Sequence, residues 1–374
     1  MLRYGVDQLT RRYHAFVVES EADRQGALAV LERVRRDELG RVWGRSVLES
    51  GAFADVDVDD LLFAVRDRWT GEIVGTVRGT PTAAIADLAS VRDEYALDRV
   101  PADLLARSYV TTRLAALPEY RRTAAPVILL RRLYLEGLRR GLELCLLTCE
   151  PSLIALYERL GLHAFAPVRQ SSAGGFRVPI VFVVHDQDHL RRVRSPLLPT
   201  LRRFGGPSSR AGVEWFRGLE IPDLGVSRYD GADGLHAVLT RGMSPAGVEG
   251  LLANSWRVQC RAGEVLIRER DGAKALHLVV SGQVEIWRGG QFVGQRGPGD
   301  LVGVLAATLD CRRTASVYAG GDDTQIVVLS RRALENVGTQ RDQVLLWRNL
   351  AAALARTLLQ SEGSRPQPVI LEAS

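Results

Sequence analysis

The chain predicts an α+β or α/β fold in two parts, a mixed sheet flanked by helices over residues 1–200 and a jelly-roll-like β-roll with flanking helices over 235–334. Three observations predict it. Helical and strand periods alternate through the first half. A stretch rich in Gly, Pro, Ser and Arg, 201–234, has no clear period and is expected as a linker. Beyond it, short apolar runs are punctuated by Gly263, Gly272, Gly282, Gly289, Gly290, Gly297, Gly299 and Gly303, a strand-and-turn rhythm. A helix over 335–362 and a disordered tail over 363–374 complete the expected order. A length of 374 residues suits two domains.

The first 60 residues read as helical, with Leu28, Leu31 and Val34 at helical spacing. The period then shortens. Runs at 61–65 and 73–77 are separated by Trp69, Thr70 and Gly71, a hairpin signal with glycine at the turn. A strand is expected at 109–117, then a loop and a helix at 126–140, where Pro126 suits a first helical turn and Gly141 ends it. A buried strand at 142–148, a helix at 151–160 closed by Gly161, and strands around Phe165 and 178–184 follow. Trp215 and Phe216, inside the expected linker, are read as packed on a neighbour. The second half opens with a helical entry at 235–253 and ends in a helix at 341–359. No internal repeat is visible.

Composition narrows the function classes. Apolar residues make up 46% and charged residues 25%, the balance of a chain that buries a core. The longest apolar stretch of the first half, 126–130, runs into Arg131 and Arg132, far short of the ~18–20 residues of a membrane span. Residues 1–10 carry no signal-peptide apolar region, so a cytoplasmic protein is expected. Cys145, Cys149, Cys260 and Cys311 are too scattered for a disulfide framework, and no Cys or His spacing suggests a metal. Cys145 and Cys149 are expected on one strand as small hydrophobes. His14 and His163 read as isolated, and no Ser/His/Asp set is visible. A net charge of +5 favours anionic partners such as phosphates or an acidic carrier protein. No basic run with interleaved aromatics points to nucleic acid, and one helix after the roll is too few for a helix-turn-helix.

In the second half, Gly299-Asp300-Leu301-Val302-Gly303-Val304-Leu305 is followed by Arg313-Thr314-Ala315-Ser316-Val317. A short helix entered through glycine points free N–H groups at an anion, and an arginine neutralises its charge. With Ala262-Gly263-Glu264-Val265-Leu266 and Val284-Glu285-Ile286, the segment 235–334 resembles a cyclic nucleotide-binding domain. The resemblance implies a pocket of Gly303, Val304, Leu305, Arg313 and Thr314 that takes a cyclic nucleotide as effector. The family's ribose-accepting glutamate falls at Val304, and loss of a charged acceptor is expected to weaken binding by about 1.5–3 kcal/mol, one to two decades. The other reading of Arg313 is an ion pair with Asp300 or Asp310, with the roll serving as a packing or dimerisation module.

In the first half, Glu150-Pro151-Ser152-Leu153-Ile154-Ala155-Leu156-Tyr157-Glu158-Arg159-Leu160-Gly161 places a tyrosine on a helix that ends at glycine. With Thr70-Gly71-Glu72-Ile73-Val74-Gly75-Thr76-Val77-Arg78, Thr112-Arg113-Leu114 and Pro118-Glu119-Tyr120-Arg121-Arg122, it resembles GNAT-fold acyltransferases of the N-acyl amino acid synthase and autoinducer-synthase branch. The resemblance implies a donor, acyl-coenzyme A or acyl carrier protein, held by its phosphopantetheine at Arg121, Arg122, Thr123, Ala124 and Ala125, where N–H groups and positive charge start a helix. Arg78 and Arg113 are expected in the cleft. Tyr157 is expected as the acid that protonates the leaving thiolate. The family's strand glutamate falls at Val110, so the base is expected to be a water or another carboxylate, with Glu119 the candidate. Tyr157 as a core residue with its hydroxyl at the rim, and Arg121 and Arg122 as a solvated face, are the alternatives.

The leading expectation is an N-acyltransferase acting on a small-molecule amine such as an amino acid, regulated by the roll. A non-enzymatic sensor with a degenerate acyltransferase fold, and a cyclic-AMP-regulated protein-lysine acetyltransferase, are the other two. Pocket depth separates long-chain from acetyl transfer.

Overall fold

A computed structural model describes residues 12–39, 61–171, 175–205, 210–270, 275–309, 311–335 and 337–363. The chain divides into two compact units, Met1–Gly225 and Val226–Ser374.

The first unit is built on an eight-stranded sheet. Its elements are β1 (Tyr13–Val17), α1 (Glu21–Leu39), β2 (Leu61–Asp67), β3 (Ile73–Pro81), α2 (Ala89–Glu94), α3 (Ala102–Leu105), β4 (Ser108–Ala116), α4 (Ala125–Arg139), β5 (Leu144–Cys149), α5 (Ile154–Leu160), β6 (Leu162–Ala164), β7 (Arg169–Gln170), β8 (Phe176–Val183), α6 (Gln187–Arg192), α7 (Leu198–Phe204) and α8 (Ala211–Gly218). Strand order is β1-β2-β3-β4-β5-β8-β6, with β7 also on β8. All pairs are antiparallel except β4 with β5. A parallel pair needs a crossover, and α4 supplies it. The mixed sheet flanked by helices is therefore as expected. Gly161 shows why α5 stops where it does. It has φ +104, and a Cβ there would lie 2.3 Å from Leu190 Cδ2, so only glycine fits.

Two expectations for this unit need correction. Tyr13–Val17 is a strand, not helix, because its residues pair along β2 from Tyr13 with Asp67 to Val17 with Phe63. The expected linker begins instead with two helices, α7 and α8. The α8 helix is fastened by partners far away in the chain: Gly212 N–H donates to Glu143 Oε2 at 3.1 Å and Trp215 Nε1 to Arg99 O at 3.2 Å. Val213 is buried in the core with Leu144, Leu146 and Val181, and Trp215 and Phe216 pack against the same cluster. Leu224 O then accepts from Val168 N–H at 2.7 Å, so the chain stays on the first unit up to its last residues.

The second unit contains β9 (Val226–Arg228), α9 (Ala237–Thr240), α10 (Pro245–Leu252), β10 (Ser255–Gln259), β11 (Val265–Ile267), β12 (Leu276–Ser281), β13 (Val284–Arg288), β14 (Gln291–Arg296), β15 (Leu301–Val302), α11 (Val304–Thr308), β16 (Ser316–Ala319), β17 (Gln325–Leu329), α12 (Arg331–Glu335) and α13 (Gln340–Gly363). Its strands form a five-stranded sheet, β15-β12-β17-β10-β9, and a four-stranded sheet, β11-β16-β13-β14, both antiparallel as a β-roll requires. Leu239, Leu251, Leu278, Leu329, Leu334 and Leu346 bring four helices and the larger sheet into one core. The tail expected to be disordered lies outside the described residues from 364 onward. No helix among the described residues is long and apolar enough to cross a membrane.

Candidate functional site

The first unit's site is made by strands that part. Parallel pairing of β4 with β5 covers Ser108 with Leu144, Tyr109 with Cys145 and Val110 with Leu146, then stops. Both strands run on, to Ala116 and Cys149. On its other side β4 bulges: Thr112 faces Arg78 and Ala115 faces Thr76, so Arg113 and Leu114 together oppose Val77. Arg113 takes φ +55, a left-handed conformation rare for a residue with a Cβ. The bulge re-aims the strand where it leaves its partner.

Thr111 and Leu147, the first residues past the last pair, line a cavity of about 60 Å³ between the sheet and α4. Its wall is almost wholly apolar, with Leu130, Leu133 and Leu160 among its members. Tyr157 lies on the same wall. Burial pushes the Tyr157 phenol above its ordinary value, so it stays protonated at neutral pH. Its hydroxyl has no hydrogen-bond partner among the described residues. Also on the wall, Thr111 Oγ1 and Cys145 Sγ are 2.7 Å apart, and burial lifts the Cys145 thiol to about 11. Arg140 Nη1 donates to Tyr109 Oη at 3.0 Å and Arg140 Nε to Glu136 Oε1 at 3.1 Å, closing another part of the wall with a polar bridge.

The other expected residues are distributed around this centre. Arg121 is exposed, its Nε donating to Ala116 O at 3.0 Å, and Arg122 is exposed as well. Thr123 Oγ1 donates to Tyr120 O at 2.7 Å and accepts from Ala125 N–H at 3.2 Å, so its hydroxyl shapes the start of α4. Ala124 is the N-cap without a side-chain cap, and Ala125 is fully buried. Arg78 is buried, and its pKa is lowered by desolvation and by Arg24 of α1. Arg78 and Arg113 are not residues of the cavity wall. Glu119 is also outside it: its carboxylate pairs with Arg33 at 2.9 Å on the surface. Val110 is wholly buried.

His163, read as isolated, is not. Its ring centroid lies 3.8 Å from that of His189 of α6 and 4.2 Å from that of Phe216 of α8, with the rings tilted. His163 Nε2 and both His189 ring nitrogens are buried with no hydrogen-bond partner among the described residues. Burial, then His189, pulls the His163 pKa down to about 4. No local signal joins positions so distant in sequence.

In the second unit residues 299–309 form a cassette in which a glycine enters a short helix. Gly303 has φ +82 and caps α11, and a Cβ there would lie 2.3 Å from Arg313 Nη1. Arg313 is 4% exposed, with Nη1 donating to Gly303 O at 2.9 Å and Nη2 to Ala275 O. The guanidinium thus ties three strands' ends to the cassette, a use that neither sequence reading anticipated. Asp300 Oδ2 accepts from Gly297 N–H at 3.0 Å, and Asp310 lies outside the described residues. His277 of β12 is buried beside this arginine, its pKa pulled down to about 3 by burial and by Arg313. Val304 is buried in the helical core of the unit, whereas Leu305 and Thr314 are exposed.

The chain is 30% identical over 142 residues to the Pycsar effector protein XpPycTIR of Xanthomonas perforans, covering 36% of this chain and 46% of that one. It is 33% identical over 129 residues to the Cyclic AMP receptor protein of Thermus thermophilus, covering 33% and 58%. It thus spans about half the length of these relatives. FeeM, an N-acyl amino acid synthase from uncultured soil microbes, has a solved structure similar at TM-score 0.40 and 13% identity, over 50% of this chain and 97% of that one. Residues 257–341 match the family described as the cyclic nucleotide-binding domain, so the second unit carries a roll of that type.

Proposed function

We propose that the first unit is an N-acyltransferase, moving an acyl group from acyl-coenzyme A or acyl carrier protein to an amine such as an amino acid, and that the roll regulates it in response to a cyclic nucleotide. The observation that carries this reading is the parting of β4 from β5 onto an apolar cavity walled by Tyr157. Past Val110 β4 no longer pairs with β5, and the space between the two strands suits an extended donor arm. The same parting gives an acyl chain an apolar place to lie.

The amine nitrogen attacks the thioester carbonyl carbon, a C–N bond forms, the C–S bond breaks, and the nitrogen's proton passes to water. Tyr157, kept protonated by burial, gives its proton to the leaving thiolate and regains one from solvent. Three N–H groups at the start of α4, on Arg122, Ala124 and Val127, have no protein acceptor among the described residues and suit a donor phosphate. An acetyl group needs no apolar cavity, so longer acyl groups are preferred over acetyl. A mass-spectrometric transfer assay with coenzyme A and carrier-protein donors tests the reading. No turnover with any donor and amine would refute it.

A non-enzymatic sensor is the second reading, favoured by the ion pair that holds Glu119 on Arg33 and by the apolar Val110. Calorimetry showing donor binding without turnover would select it. Cyclic AMP and cyclic GMP titrations test the effector, with Val304 predicting weak affinity for either.

A further inference from the structure

The geometry points to Gly137 as the residue that sets the length of the apolar chain the cavity holds. The identity of that chain as acyl rests on the transferase reading; the length control rests on the cavity itself. Gly137 lies within α4, where glycine weakens a helix relative to alanine. It is absent from the positive-φ residues, so no left-handed turn requires it. A Cβ built on it would meet only Leu142 Cδ1 at 3.5 Å, an ordinary contact. Two glycines of the neighbouring β3 differ. A Cβ on Gly75 would meet Ala115 O at 3.1 Å, and one on Gly79 would meet Tyr109 Cδ2 at 3.0 Å, so a side chain at either would crowd a neighbour. Neither conformation nor crowding demands Gly137. What a side chain there would occupy is the cavity, whose wall Gly137 joins.

Its place on that wall makes it a floor. Thr111 and Leu147 mark the side where β4 and β5 part, and Tyr157 is on the same wall. Tyr109 sits two residues back, where the strands are still paired, and Arg140 binds its hydroxyl. Arg140 lies one turn beyond Gly137 on α4 and is held again by Glu136, so the floor is braced. A chain that enters at the parted strands with its carbonyl by Tyr157 reaches Gly137 with its terminal carbons. The ligand class is an aliphatic chain, since the wall offers leucines and few polar groups.

The full chain, its Gly137→Ala variant and its Gly137→Leu variant are titrated by calorimetry with a graded series of saturated fatty acids, and assayed for transfer with the matching acyl-coenzyme A series. Gly137→Ala is expected to weaken the longest bound chains about fourfold, the value of one methylene, while short chains bind as before. Gly137→Leu is expected to exclude the long chains and keep the short ones. Alanine strengthens the helix, so a raised melting temperature in Gly137→Ala shows that the fold is intact. A chain-length profile unchanged in Gly137→Ala overturns the proposal, as does a wild-type protein that binds no chain. Gly137-dependent binding without transfer supports the length control and refutes the transferase reading alone.

Discussion

The two units treat their key polar groups in opposite ways. Tyr157 stands on an apolar wall with no protein partner for its hydroxyl among the described residues, in a gap kept open because β4 and β5 stop pairing. Arg313 is buried, and it donates to Gly303 O and Ala275 O and so braces its own cassette. A group left without a partner is ready for substrate but adds nothing to the fold. A group satisfied by backbone carbonyls stabilises the fold, and a ligand anion must share it or draw it away.

The largest effect expected from this contrast is on stability of the second unit. Arg313→Ala leaves two carbonyls without their donor and opens a void, and should destabilise the unit by about 3 kcal/mol in a denaturant titration. A change under about 1 kcal/mol would mean that the arginine is free for ligand after all. Tyr157→Phe should do the reverse, lowering kcat about 10²-fold with no loss of melting temperature. Equal turnover by the phenylalanine variant would return Tyr157 to a packing role.

Acid should act on the first unit through the adjoining histidines His163 and His189. His163 titrates near 4 in the fold against 6.5 in an unfolded chain, so between these values the unfolded chain binds more protons and stability rises with pH. His189 is shifted in the same direction by burial. Asp186 opposes both shifts and Arg192 adds to them. Melting temperature should therefore fall as pH drops from 6.5 towards 4, and His163→Phe should flatten that slope. The smallest effect is expected from Glu119→Gln. Its exposed pair with Arg33 contributes at most about 1 kcal/mol, and turnover should stay within about twofold. A loss of activity as large as that of Tyr157→Phe would restore Glu119 as the base.

Much of the fold was legible because its signals are local. The hairpin about Gly71, the proline that opens α4, the glycine that closes α5 and the glycine rhythm of the roll each depend on a few adjacent residues. Tyr13–Val17 was misread because its strand state comes from pairing along β2, and α8 because its anchors, Glu143 and Arg99, are distant in sequence. Residue types at the two sites were legible too: a tyrosine on a short capped helix, an arginine after a glycine-entered one.

Chain order and residue chemistry alone determined that a mixed sheet precedes a β-roll, since backbone periodicity and turn chemistry act over a handful of residues, whereas Tyr157 and Arg313 were singled out by family resemblance. Only the tertiary structure decided that Arg313 binds carbonyls, that His163 meets His189, that Glu119 turns to Arg33, and that a cavity opens where β4 leaves β5. The physical reason is that partners and voids are created by long-range packing, where hydrogen-bond satisfaction and excluded volume are settled between segments that sequence proximity does not connect.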